Sequence, residues 1–129
     1  MIWKPGLPGD TERSVPAGDY IVRQGDEASD MFVIRSGRVE ISRRNGGDGK
    51  QVLATLRQGD FFGEMSLLES LPREADAIAL TDTKLFLIAQ GGLLMRLRRD
   101  PTFALEMLHA LSGRLRAMNA LAEGHETSP

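Results

Sequence analysis

Cysteine is missing altogether from this chain of 129 residues. Its absence excludes disulfides, thiolate zinc sites, cysteine-held iron–sulfur clusters and cysteine nucleophiles. Histidine is scarce, and His109 and His125 stand too far apart to form a metal-ligand pattern. No apolar run approaches the ~18 residues that span a bilayer. The opening MIWKPGLPGD lacks the apolar core of a signal peptide, so a cytoplasmic protein without membrane contact is expected. Positive charge is not in excess either. Sixteen Lys and Arg stand against 18 Asp and Glu, for a formal net charge of −2, which excludes a domain-wide basic footprint for nucleic acid.

What remains is ordinary for a folded domain: 41% hydrophobic and 26% charged residues, in a length that suffices for a real core. Residues 1–10 hold two Pro and two Gly and read as an irregular lead-in. From Val15 to about Ile88 short runs rich in Val, Ile, Leu and Phe alternate with turns at Gly25-Asp26, Ser36-Gly37, Gly46 to Gly49, Gly59-Asp60 and Thr81-Asp82. Short strands at such spacing predict an all-β sandwich or barrel. RRNGGDGK, between RVEIS and QVLATL, reads as a hairpin loop whose Arg43, Arg44 and Lys50 are solvated charge.

The period changes at Gln90. QGGLLMRLRRDP predicts a short helix stopped at Asp100-Pro101, and a longer one follows from Pro101 or Thr102 to about Gly124. Ala104, Leu108, Leu111, Leu115, Met118 and Ala122 form a heptad-type seam, widened by Phe103, Met107 and Leu121. Two readings stand for that seam: it closes the barrel, or it pairs helix 102–122 with a second copy. Gly113 weakens the helix centre by ~1 kcal/mol relative to Ala. The resulting division is lead-in 1–10, barrel 11–89, helices 90–123 and a polar tail 124–129.

Candidate chemistry concentrates in FFGEMSLLESLPREADA, residues 61–77. A Gly-led turn followed by an acid predicts a short helix whose first N–H groups attract anions. Glu64 in that turn is suited to accept hydrogen bonds from a sugar hydroxyl pair. Arg73 supplies a planar fork that matches phosphate oxygens. The same spacing also describes a solvent ion pair worth little. No nucleophile–base pair and no metal cluster is visible, so no catalytic residue is expected and the chain is not read as an enzyme.

The pieces VPAGDYIVRQGD, MFVIRSGRVEI, LRQGDFFGEMSLL and PREADAIAL, followed by a short and a long helix, resemble the cyclic nucleotide-binding domain family from about Val15 to Glu123. The resemblance implies a mainly β fold with C-terminal helices: an eight-stranded jelly-roll β-barrel, a short phosphate-cassette helix and a two-helix C-terminal lid. It implies cAMP, less readily cGMP, as ligand and no cofactor. It places Glu64 on the ribose 2′-hydroxyl and Arg73 on the cyclic phosphate, with the backbone of Gly63, Met65 and Ser66 along the sugar-phosphate. Phe62, Glu74 and Ala75 complete the implied ligand shell. Alignment of the long helix implies Met118 and Asn119 as a cap on the purine; otherwise Met118 belongs to the seam and Asn119 to solvent.

Two positions depart from the family pattern. Glu74 follows the arginine where a small residue is usual. A carboxylate about 5 Å from a phosphate costs about 3 kcal/mol at an effective dielectric near 20, roughly a hundredfold in affinity. Asp76 replaces a hydroxyl that in some members helps select guanine, which favours adenine. The expected function is a cyclic nucleotide sensor signalling through its C-terminal helix. Two alternatives stand beside it: a degenerate barrel serving as an interaction unit, or the sensor part of a longer catabolite-activator-type regulator. Such regulators carry a helix-turn-helix domain beyond the long helix, so no DNA recognition by this chain alone is expected.

Overall fold

A computed structural model describes residues 10–47 and 49–123, with side chains to residue 120. The lead-in and the tail read from the sequence therefore lie outside the described residues, apart from Asp10. Eight strands form two antiparallel sheets. They are β1 (Thr11–Val15), β2 (Tyr20–Val22), β3 (Asp30–Ser36), β4 (Val39–Arg44), β5 (Lys50–Leu56), β6 (Phe61–Phe62), β7 (Asp76–Ala79) and β8 (Thr83–Ala89). The sheet orders are β1-β8-β3-β6 and β2-β7-β4-β5, the jelly-roll arrangement. A short helix α1 (Glu64–Glu69) separates β6 from β7, and α2 (Gln90–Arg99) and α3 (Pro101–Glu123) follow the barrel. The chain divides into two compact units between Leu93 and Leu94. The first turn of α2 thus belongs to the barrel unit, a few residues beyond the boundary expected at 89.

Alternation explains the core. Val15, Ile21, Phe32, Ile34, Val39, Leu56, Phe62, Ala77, Ala79 and Leu85 form one cluster of buried side chains. Each large member contributes roughly 1.5–3 kcal/mol relative to exposure. Strands β3 and β8 are buried on both faces, since Met31, Val33, Phe86 and Ile88 are as inaccessible as their neighbours. That is why DMFVI and LFLI read as unbroken apolar runs. Strand β1 was not legible in this way, because four of its five residues are exposed and only Val15 is buried. It exists through its ladder to β8, from Thr11 opposite Leu87 to Val15 opposite Thr83. The expected hairpin forms between β4 and β5, but Arg43, Arg44 and Lys50 lie in its strands and not in its loop.

The tetrapeptide RQGD occurs twice, at residues 23–26 and 57–60, and builds the same turn both times. In each, the Asp N–H donates to the Arg carbonyl, at 3.0 and 2.9 Å. The Asp carboxylate in turn accepts from the Arg N–H, at 3.0 and 2.9 Å. Gly25 and Gly59 take φ of 94° and 91°, as the third position of a type II turn requires. Each turn then holds one residue of another segment by both its backbone groups. Gly59 N–H and Asp60 C=O hold Ile34, while Gly25 N–H and Asp26 C=O hold Arg73.

In the helical unit, Asp100 caps α3 by accepting from Phe103 N–H at 3.2 Å, with Pro101 in the first helical position. The heptad seam is not the buried face of this helix. Phe103 and Met107 are buried, whereas Leu108, Leu115 and Met118 are 63%, 60% and 52% exposed. Leu121 and Ala122 lie outside the described side chains.

Gly37 tests the tightness of the barrel corner. Its φ is 97°, and an added Cβ would stand 2.6 Å from the Asp82 carbonyl oxygen and 2.6 Å from Thr83 Oγ1. Gly37→Ala is therefore expected to lower stability by about 2 kcal/mol or more, read as a fall in thermal midpoint. Gly47→Ala, with nothing near its Cβ, should leave the midpoint within about 2 °C.

Candidate functional site

The cassette begins where β6 ends. Gly63 takes φ 85° to turn the chain out of the strand and into α1. A Cβ there would meet Arg73 Nη1 at 2.6 Å, so glycine is required both by backbone and by space. Glu64, the first residue of α1, is 4% exposed. Its Oε2 accepts from the Met65 N–H at 2.9 Å, so the carboxylate itself takes up a donor the helix start offers. The helix has only six residues. It closes at Ser70, in the left-handed region at φ 55°, whose N–H bonds back to the Ser66 carbonyl. Ser66 is buried, and its Oγ donates to the Pro72 carbonyl at 3.4 Å.

Arg73 is the centre of this constellation. It is 6% exposed, its N–H donates to Asp26 C=O at 2.8 Å and its C=O accepts from Gly25 N–H at 2.8 Å. The side chain runs back under the cassette. Nη1 donates to the Gly63 carbonyl at 2.9 Å, and Nη2 donates to the Asp30 carbonyl. The guanidinium carbon lies 5.4 Å from the centre of the Phe32 ring, which stacks on Phe62 with centroids 5.0 Å apart. Burial pulls the Arg73 pKa below its ordinary value, and the charges of Asp30, Asp26 and Glu64 oppose that shift. A guanidinium keeps its proton at neutral pH under such conditions. The Nε hydrogen is buried and has no hydrogen-bond partner, a costly state for a charged donor. It marks the direction in which an acceptor is needed.

The acid and the arginine of the cassette are therefore buried neighbours held by backbone, and not a solvent ion pair. Phe62, Gly63, Glu64 and Arg73 converge there. Met65 is 49% exposed, so only its backbone is engaged. Glu74 is exposed, while its carbonyl accepts from Arg43 Nε at 3.4 Å; Ala75 is half-buried beside it. A carboxylate in solvent has most of its charge screened. Asp76 also departs from expectation. It is buried, and its oxygens accept from Gln24 N–H at 2.7 Å and from Arg44 at 3.2 and 3.3 Å. A carboxylate so engaged joins strands, which removes the reason it gave for preferring adenine. Met118 and Asn119 are exposed on α3.

Several participants were not read from the sequence. Phe32 lies in an apolar run, and nothing in that run distinguishes it from its neighbours. Asp30 and Asp26 act through carbonyls, which any residue carries. Arg13 was passed over because β1 itself was; its Nη2 donates to the Ile21 carbonyl at 3.2 Å, and its guanidinium lies 5.5 Å from the Phe32 ring centre. The repeated RQGD was the signal for the Gly25–Asp26 clamp.

Among the described residues no group of three or more His, Cys, Asp or Glu is placed to hold a metal. None of their helices is long and apolar enough to cross a membrane.

Known proteins resemble this chain in sequence and in fold. The Cyclic AMP receptor protein of Thermus thermophilus is 38% identical over 104 residues, covering 81% of this chain and 48% of the relative. A cAMP-dependent protein kinase regulatory subunit of Debaryomyces hansenii is 39% identical over 75 residues, 58% of this chain and 16% of that one. The crystal structure of the Thermus thermophilus catabolite activator protein superposes with a TM-score of 0.80 at 33% identity, over 91% of this chain and 55% of that chain. This chain thus spans about half the length of the bacterial relative. The strand order is that of a jelly roll, residues 12–100 match the family model described as the cyclic nucleotide-binding domain, and the chain belongs to that family.

Proposed function

We propose that this chain is a sensor module that takes a 3′,5′-cyclic nucleotide at the cassette, with Glu64 on the ribose hydroxyl and Arg73 on the phosphate. One observation carries the reading: a buried acid and a buried arginine share one short segment, and the arginine keeps a buried Nε–H without an acceptor. A cyclic phosphate supplies a charged acceptor for that fork, and a ribose supplies donors for Glu64. Gly63, Met65, Ser66 and Ala75 line the sugar-phosphate through backbone, with Phe62 behind them. We take cAMP first, because a cyclic AMP receptor matches over 81% of this chain, whereas a cGMP-dependent protein kinase 2 of Homo sapiens matches over 48% at 40% identity. Catalysis has no part in this reading, and the setting is the cytoplasm.

A ligand that prefers one arrangement of the C-terminal helices shifts their equilibrium, which is how binding becomes a signal. Met118 and Asn119 keep the base-capping role that the family resemblance implies. The seam of α3 is assigned to a second copy: Leu108 and Leu115 are 63% and 60% exposed, and a helix leaves such a stripe bare only at cost unless it is covered in a dimer. Beyond its resemblance to part of the bacterial receptor, the chain's place in a larger regulator is a proposal of the same kind. The degenerate, non-binding barrel is the second reading. Its motive was Glu74, whose exposure weakens it.

Titration calorimetry with cAMP and with cGMP decides between the two. Wild-type protein should bind at least one of them in the micromolar range, and Arg73→Ala should weaken that by about a hundredfold or more. Absence of binding by both nucleotides below about 1 mM, with an unmoved melting temperature, would leave the degenerate barrel standing. Glu74→Ala is expected to tighten binding by no more than about threefold, because its carboxylate is exposed; a hundredfold gain would show that it faces the phosphate. For the seam, sedimentation should show a dimer that Leu108→Glu with Leu115→Glu converts to monomer while the melting of the barrel is retained.

A further inference from the structure

We infer that Asp76 is a positioning residue for Arg73, acting through Arg44 and the first RQGD turn; this rests on the reading of Arg73 as the phosphate-binding group. Arg73 is fixed from two sides. On one side Gly63 and Asp30 hold its guanidinium. On the other, Gly25 and Asp26 hold its backbone. The second RQGD turn holds Ile34 in the same way, but Ile34 sits inside a strand with ladder partners on β8. Arg73 lies in the link between α1 and β7, and the described pairing of β7 starts only at Asp76. Its turn therefore needs an anchor of its own.

Asp76 supplies that anchor. Its Oδ1 accepts from the Gln24 N–H at 2.7 Å, inside the turn that clamps Arg73. Arg44 then closes a ring of bonds around both. Its Nε lies 3.2 Å from Asp76 Oδ2 and its Nη2 lies 3.3 Å from Oδ1. The same Nη2 donates to the Gln24 carbonyl at 3.1 Å, and the Arg44 N–H donates to Gln24 Oε1 at 3.0 Å. Three segments meet there: the end of β4, the turn after β2, and the start of β7. Asp76 is 3% exposed, so its charge is compensated mainly by this fork, and a planar guanidinium suits the double contact better than an ammonium. The residue that departs from the family's hydroxyl, and the basic hairpin that reads as solvated charge, are thus one device. Its effect is on where Arg73 stands, since misplacing a charged group by about 1 Å is enough to cost about a hundredfold in favourable cases.

The test uses Asp76→Asn, which keeps an acceptor for Gln24 but loses the charge, and Arg44→Ala, whose side chain is half-exposed and whose loss the fold tolerates more readily. Two quantities are read: cAMP affinity, and amide hydrogen exchange at Gly25 and Arg73 compared with ladder amides of β3 and β8. The expected result for both variants is an affinity weakened by about tenfold and faster exchange at Gly25 and Arg73, with the β3–β8 amides unchanged. Val39→Ala, a core cavity remote in kind from this ring of bonds, serves as the control that lowers the melting temperature while leaving affinity within about twofold. If both variants bind like wild type and Gly25 and Arg73 exchange at the wild-type rate, the assignment is overturned. It is overturned equally if the control weakens binding as much as they do. If wild-type protein binds neither nucleotide, the ligand assignment fails; faster exchange at Arg73 in the variants then still supports the positioning role, and unchanged exchange still refutes it.

Discussion

A guanidinium cannot be taken out of water without acceptors on hand, and the barrel is arranged around that requirement at Arg73. Two carbonyls hold the charged head, an aromatic ring lies beside it, and a turn grips the backbone behind it. Each contact constrains something else. Gly63 has no room for a side chain because Arg73 Nη1 occupies that place. The Asp30 carbonyl fixes the start of β3, and Asp26 fixes the exit from β2. Of the three guanidinium nitrogens, Nε is the one left without a partner. In energetic terms the fold itself meets most of the cost of desolvating this charge, which is the meaning of preorganisation.

Much of this was legible in the residues, and the reasons are specific. FGE and PR stand on one segment, which brought Glu64 and Arg73 forward together; spacing alone left a solvent ion pair open, and the burial of both side chains is what the fold adds. The runs MFVI and LFLI were legible as strands because both of their faces are buried. What escaped was whatever acts through backbone or through a single buried position. TERSV carries no alternation, since partners along its edge decide its state. Phe32 is one apolar residue among several. Asp76 was read as a difference in ligand selection when its oxygens in fact serve Gln24 and Arg44; composition says which groups are present, and only the fold says which of them are already engaged. The α3 seam left two readings open for a related reason. Periodicity finds apolar stripes, but when a helix carries more than one, packing decides which is covered.

The two RQGD turns show how one local solution serves two ends. In one case it holds a core residue of a central strand, and in the other the arginine of the site. The local chemistry of Gly and Asp is the same in both. The difference lies in what stands next to the turn: beside the first lies the ring formed by Asp76, Arg44 and Gln24.

The pairing of the strands has a consequence for how the barrel comes into being. β4 pairs with β5, β3 with β6, β2 with β7 and β1 with β8, so these four ladders are nested, one inside the next, while β4–β7 and β3–β8 complete the sheets across them. The innermost is a local hairpin; the outermost joins Thr11 to Leu87. On the ribosome the hairpin is free to form as soon as it emerges, while the N-terminal strand waits for the last strand of the barrel before it has a partner. Closure of the longest loops comes late and slowly. During that interval β1 is an unpaired edge, and its polar, charged face, Thr11 to Ser14, keeps such an edge from recruiting the wrong neighbour. The composition that hid this strand from view is the one that makes its long wait safe.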